Sequence, residues 1–148
     1  MAIFKIYEQQ QHHILVVDDE SDIITVLEHL LQIIGFNICG FTNPHLALEH
    51  FKANSKDHSL VHSDLAMPNM CGFELARKIR SIGLITMILI LTASDVSNSD
   101  LFRDLTSSLK IDGFIQKPIP LQSLKHIIQK HVCCIHLDIF LMQNLLLK

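Results

Sequence analysis

The sequence predicts one α/β domain, a doubly wound (βα)5 fold built on a five-stranded parallel sheet. Two observations carry this expectation. Short apolar runs without polar alternation recur along the chain, which is the pattern of strands buried on both faces. Between them lie segments with apolar residues at helical spacing, as the crossover helices joining parallel strands require. The length of 148 residues and the 49% hydrophobic content are enough to fill one core of this kind.

The first strand is Ile14 to Val17, and the helix after it places Ile23, Leu27, Leu30 and Ile34 on one face before Gly35 ends it. The second strand is about Asn37 to Phe41. Asn43 then reads as a helix cap with Pro44 at the first helical position, and Ala47, Leu48 and Phe51 supply the buried stripe. Strand three is Leu60 to Asp64, helix three runs from about Phe73 to Arg80, and strand four is the run MILILT, Met87 to Thr92. Helix four carries Leu101, Leu105 and Leu109, with Ser97, Ser99 or Asp100 as its cap. Strand five is Gly113 to Gln116, and helix five begins after Pro120 with Leu121, Leu124 and Ile128. Residues 1–12 form an extension, 13–131 the domain, and 132–148 an apolar tail.

Charge and composition narrow the functional classes. A net charge of -3, with 12 Lys and Arg against 15 Asp and Glu and no dense basic run, gives no electrostatic reason for direct nucleic-acid binding. Protein partners are expected instead. Cys39, Cys71, Cys133 and Cys134 stand at no metal-ligand or disulfide spacing, and the N-terminus lacks the apolar core of a signal peptide, so a reducing, cytoplasmic setting is expected. The longest apolar stretch, Ile82 to Ala93, is too short to span a bilayer. The histidines read as surface residues: His126, His131 and His136 share no helix face, and His12 and His13 precede a strand. Cys71, Cys133 and Cys134 read as inert, since nothing nearby lowers a thiol pKa.

Parallel strands with right-handed crossovers bring all their carboxyl ends to one rim, where open α/β sheets bind ligands. The polar strand ends fall there: Asp18 and Asp19 after strand one, Asp64 at strand three, Thr92 at strand four, Lys117 at strand five. Three converging carboxylates repel, each pair costing about 1 to 4 kcal/mol at 4 Å separation depending on the effective dielectric. A cation is implied, and hard oxygen ligands with room for water suit Mg²⁺. A carboxylate beside such a metal can attack a phosphoryl group and hold it as an acyl phosphate. Asp64 is the candidate, because the two adjacent acids are better placed as metal ligands. Lys117 supplies a point charge for the incoming phosphoryl group, and the Thr92 hydroxyl donates to it after transfer.

The motifs VVDDE (Val16 to Glu20), SDLAMPNMCGFEL (Ser63 to Leu75), LTA (Leu91 to Ala93) and QKPIP (Gln116 to Pro120) stand in order, at family-like separations. Over Ile14 to His131 the chain resembles the response-regulator receiver domains of two-component signalling, in particular the chemotaxis-receiver-like single-domain regulators. The resemblance implies the flavodoxin-like strand order 2-1-3-4-5. It implies that Asp64 is the phosphoacceptor, that Asp18, Asp19 and Asp64 hold Mg²⁺ with the Ala66 carbonyl, and that Lys117 pairs with phosphoryl oxygens. Phe114 falls at the family's rotameric switch position and is expected to work with Thr92; the alternative is an ordinary core aromatic, since it lacks the hydroxyl of a tyrosine switch. A histidine kinase or phosphotransfer protein is the implied donor, an unidentified protein the downstream partner. The domain is then expected to catalyse only its own phosphorylation and slow dephosphorylation, and the expectation is a stand-alone receiver without an effector domain.

The chain departs from the family pattern at several positions. His62 replaces a central-strand aliphatic residue and needs a hydrogen-bond partner in the sheet's flank. Cys71 replaces the common acidic residue before Gly72, and the segment from Thr92 to Lys117 is longer than usual, so partner choice does not transfer by analogy. Two other classes compete with the receiver reading. An aspartate-nucleophile phosphatase carries a D-x-D motif, but here the position two after Asp64 is Ala66. A pseudo-receiver scaffold conflicts with the complete set of Asp18, Asp19, Asp64, Thr92 and Lys117. In the tail, Ile128, Val132, Ile135, Ile139, Met142 and Leu146 follow coiled-coil spacing. That leaves three readings open: a homodimer through helix five and the tail, docking on the same domain, and disorder or membrane-surface contact.

Overall fold

The computed structural model describes residues 13–83, 86–95 and 99–118, together with 122, 123, 125–127 and 130. The chain divides into two compact units, residues 1–117 and 118–148. In the second, Gln122, Ser123, Lys125, His126, Ile127 and Lys130 are helical, as expected after Pro120. Leu121, Leu124, Ile128 and the tail 132–148, like Ser97 and the extension 1–12, lie outside the described residues.

The first unit holds strands β1 (His13–Val17), β2 (Asn37–Phe41), β3 (His58–Asp64), β4 (Met87–Thr92) and β5 (Gly113–Gln116). Helices α1 (Ser21–Ile34), α2 (Pro44–Ala53), α3 (Gly72–Ile82) and α4 (Asp100–Leu109) connect them. All four strand pairings are parallel and the order is β2-β1-β3-β4-β5, the doubly wound arrangement expected.

Alternation along the strands divides the core between two faces. Leu15, Val17, Val61, Ile88 and Ile90 face α2 and α3, where they pack with Ala47, Leu48, Phe51, Leu75, Ala76 and Ile79. Their neighbours Ile14, Val16, Leu60, Leu89 and Leu91 are also buried, so the sheet is covered on both sides.

Two helices are turned relative to the expectation. On α1 the buried residues are Ile24, Leu27 and Leu31, whereas Ile23 and Leu30 are only half-buried. Both stripes have helical period, and the choice is made by Gly40 of β2: a methyl group there would overlap the Ile24 side chain, so the missing Cβ is the slot that receives it. On α4, Leu101 is 65% exposed and only Leu109 is buried; Phe102 turns inward instead. The rings of Phe73, Phe102 and Phe114 meet edge to face at 5.5 to 6.0 Å, and this aromatic cluster sets the rotation.

The helix ends follow local chemistry. The Asn43 side chain accepts from the His45 and Leu46 amides, Pro44 occupies the first turn, and Gly35 closes α1 at φ 98°. Ser99, not Asp100, caps α4 by accepting from the Phe102 amide. Arg80, near the end of α3, donates to the carbonyls of Thr86, Leu109 and Lys110 and to the Asp112 carboxylate. One guanidinium thus fastens the residue before β4 to the carbonyls at the end of α4, where helical carbonyls lack intrahelical partners.

β3 begins at His58, two residues before the expected start, and shifts register there: His13 pairs with His58, but Ile14 pairs with Leu60. The surface reading of the histidines fails at His58, which is 4% exposed. His62 lies buried in the central strand as expected, 1% exposed, but it does not find the partner expected for it. Among the described residues neither of its ring nitrogens has a hydrogen-bond partner.

Candidate functional site

The carboxyl rim gathers the acids that the strand ends suggested. Asp18, Asp19 and Asp64 bring one carboxylate oxygen each within 4.8 Å of one another. Asp18 is fully buried, Asp64 nearly so, and Asp19 is open to solvent. Lys117 reaches in from the end of β5, with Nζ 3.1 Å from Asp64 Oδ1 and 3.5 Å from Asp18 Oδ2.

Backbone bonds fix these positions. The Asp18 amide donates to the Phe41 carbonyl, and Asp18 Oδ1 accepts from the Glu20 amide at 2.9 Å, in the turn just before α1. The Lys117 amide donates to the Thr92 carbonyl at 2.7 Å and the Leu65 amide to the Leu91 carbonyl at 2.7 Å, which ties the ends of β3, β4 and β5 together. Thr92 is buried and its hydroxyl accepts from the Ser94 amide at 3.0 Å. Ala66 is exposed in the loop after β3.

Two positions in that loop were not singled out in the sequence. A Cβ on Gly72 would lie 2.5 Å from the Asp64 carbonyl oxygen and 3.1 Å from Leu65 Cα, so only glycine lets α3 start this close to the candidate nucleophile. Asn69 adopts φ 69°, a left-handed conformation that asparagine tolerates better than most residues. Met67 and Met70 bury their side chains on either side and anchor the loop. The PNMCG segment carried these signals, since Asn and Gly are the residues that such turns select.

The electrostatics of the site are unbalanced. Burial raises the Asp18 carboxyl above its usual range; the Glu20 amide and Lys117 oppose that shift, and Asp64 adds to it. Burial alone would pull the Lys117 ammonium down, but Asp64 and Asp18 outweigh it and hold it above its usual value. Three carboxylates and one ammonium leave a formal charge of -2 (three negative, one positive) in a mostly buried cluster. Hard oxygen donors with this charge fit a divalent cation of the Mg²⁺ type, which takes few carboxylates and keeps waters.

Phe114 pairs with Ile90 across the sheet and is half-buried between Phe73 of α3 and Phe102 of α4. It therefore links the β5 strand, three residues before Lys117, to two helices.

Comparison with known proteins agrees with this geometry. The response regulator receiver domain family matches residues 14–129, and the chain belongs to that family. It is thus a signalling domain of two-component and chemotaxis response regulators, whose signalling depends on phosphorylation, and not a classical enzyme. A probable transcriptional regulator, ycf27 of Cyanidium caldarium, is 30% identical over 87% of this chain and 49% of its own length. The chain spans about half the length of such relatives. The chemotaxis protein CheY4 of Vibrio cholerae is 28% identical, with a TM-score of 0.70 over 81% of this chain and 98% of its own. The response regulator TrrA of Thermotoga maritima, solved in complex with Mg²⁺ and BeF, is 33% identical, with a TM-score of 0.67 over 81% of this chain and 98% of its own. Among the described residues no helix is long and apolar enough to cross a membrane.

Proposed function

We propose that the chain is a cytoplasmic switch in which Asp64 accepts a phosphoryl group from a histidine kinase or phosphotransfer protein. The observation that carries this reading is the meeting of three carboxylates within 4.8 Å, with the Lys117 ammonium 3.1 Å from Asp64. Asp18, Asp19, Asp64 and the Ala66 carbonyl would hold Mg²⁺, which would supply positive charge to offset the carboxylates and a phosphoryl group. An Asp64 oxygen attacks phosphorus as the bond to the donor's leaving group breaks, giving an acyl phosphate and the free donor. Lys117 neutralises a phosphoryl oxygen, and slow hydrolysis later returns the carboxylate.

The test is incubation with Mg²⁺ and acetyl phosphate followed by intact-mass measurement, where one added phosphoryl group per chain is expected. No mass gain would refute the reading. Asp19→Ala should leave the fold intact, because this side chain is solvent-exposed, yet weaken Mg²⁺ binding at least tenfold by titration calorimetry. Equal affinity in variant and parent would remove Asp19 from the metal site.

After transfer, the Thr92 hydroxyl exchanges its contact with the Ser94 amide for a bond to the phosphoryl group, and Phe114 repacks in the space released. A charge-assisted hydrogen bond of roughly 1.5 to 3 kcal/mol is a good part of what converts a mostly inactive population. The altered surface then binds a downstream protein. Thr92→Ala should accept phosphate as the parent does but show much smaller amide shift changes around Phe114. Full changes in that variant would show that Thr92 is not the coupling residue.

A further inference from the structure

The opposite rim of the sheet carries a second cluster, of different chemistry. Cys39 of β2, His50 in the last turn of α2 and His58 at the start of β3 bring one ligand atom each within 4.8 Å of one another. His13, at the start of β1, adds a fourth group: its Nδ1 lies 3.9 Å from Cys39 Sγ and its ring sits edge-on to His58 at 6.1 Å. Their positions in sequence, 13, 39, 50 and 58, share no motif spacing; three strands and a helix bring them together.

His58 is the telling member. It is 4% exposed, and among the described residues neither ring nitrogen has a hydrogen-bond partner, although a buried polar ring normally finds one. The register shift between the His13 and Ile14 pairings inserts Ser59 as an extra residue and turns His58 toward α2, where it stacks on Phe51 and meets His50 at 5.0 Å. Bulges that re-aim a side chain are characteristic of built sites. A simple core position would be filled by an aliphatic residue at no such cost.

We propose that Cys39, His50 and His58 bind a borderline-soft divalent cation of the Zn²⁺ class, with His13 completing the coordination. One thiolate and up to three imidazoles are the donor set that such ions select, whereas Mg²⁺ prefers the oxygen cluster of the other rim. Tetrahedral coordination with Zn–S about 2.3 Å and Zn–N about 2.1 Å places ligand atoms about 3.5 Å apart. The Cys39, His50 and His58 ligand atoms, within 4.8 Å of one another, close to that value by side-chain rotations of about an ångström. Binding forms one sulfur–metal bond and releases one thiol proton to solvent, while the imidazoles enter as neutral donors and the metal sheds waters. Cys39, His50 and His13 are partly exposed, so an ion can enter from solution. The site lies five residues along β1 from Asp18, about 16 Å at the usual strand rise, and uses none of the same groups.

The test is titration of the metal-free full chain with Co²⁺ in the presence of excess Mg²⁺, read by absorbance, and with Zn²⁺, read by calorimetry and thermal unfolding. One equivalent should bind, with a thiolate-to-cobalt charge-transfer band and tetrahedral visible bands, and Zn²⁺ should raise the unfolding midpoint by several degrees. Cys39→Ser should abolish the charge-transfer band, and His50→Gln, on a partly exposed helix position, should weaken binding at least tenfold with cooperative unfolding retained. Absence of stoichiometric binding overturns the proposal. So does binding that persists unchanged in both variants, which would place the ion on other cysteines or histidines of the chain.

Discussion

Asp64→Asn is expected to abolish phosphoryl acceptance completely: with Mg²⁺ and acetyl phosphate, the parent gains one phosphoryl mass and the variant none. The amide keeps the size and shape of the carboxylate, but its oxygen is a poor nucleophile and cannot form the acyl phosphate. The fold should survive for an electrostatic reason. Asp64 shares a cluster of formal charge -2 with Asp18, Asp19 and Lys117, and neutralising it leaves -1. The lost attraction to Lys117 at 3.1 Å is offset by relief of repulsion from two carboxylates, and Lys117 retains Asp18 at 3.5 Å. Urea unfolding without Mg²⁺ should therefore show a stability equal to or above that of the parent, while the benefit from added Mg²⁺ shrinks. A full mass gain in the variant would move the phosphoacceptor elsewhere. A collapse of stability without Mg²⁺ would instead show that the Lys117 pair outweighs the repulsion.

The fold and the acidic rim were legible because each rests on local pattern. Apolar runs such as MILILT, alternating with segments of helical period, point to a parallel sheet buried on both faces, and once those strands are placed, Asp18, Asp64, Thr92 and Lys117 fall at one rim by topology alone. The rotations of α1 and α4 were not legible, because each helix carries two overlapping apolar stripes. The choice between them is made at a distance, by the absent Cβ of Gly40 and by Phe73 and Phe114. The grouping of His13, Cys39, His50 and His58 was hidden for a related reason. It depends on strand register and on the bulge at Ser59, and neither leaves a spacing in the chain. The surface assignment of the histidines rested on their lack of a shared helix face, and the burial of His58 contradicts it.

His62 should make the domain acid-sensitive. It sits in the middle of β3, paired with Val16 of β1 and Leu89 of β4, 1% exposed and without a hydrogen-bond partner among the described residues. Desolvation, with a contribution from the Lys117 charge, lowers its pKa from 6.5 to about 4. Above pH 6.5 the ring is neutral in both folded and unfolded chains, and its contribution does not vary. Between 6.5 and 4 the unfolded chain takes up a proton that the folded one refuses, so stability falls with pH across that window. The loss integrates to roughly 3 kcal/mol, a large share of the 5 to 15 kcal/mol that holds a typical domain together. His62→Leu removes the titration and the two orphaned nitrogens with little change in volume. The variant should be more stable than the parent by about 1 to 3 kcal/mol at pH 7. Its advantage should widen by roughly 3 kcal/mol on going to pH 4. Every carboxylate and His58 titrate in both proteins, so the difference between paired urea curves isolates His62. An advantage that stays constant between pH 7 and 4.5 would mean that the buried ring does not stay neutral in the folded state, and that the flank of the sheet beside Lys117 admits a second positive charge.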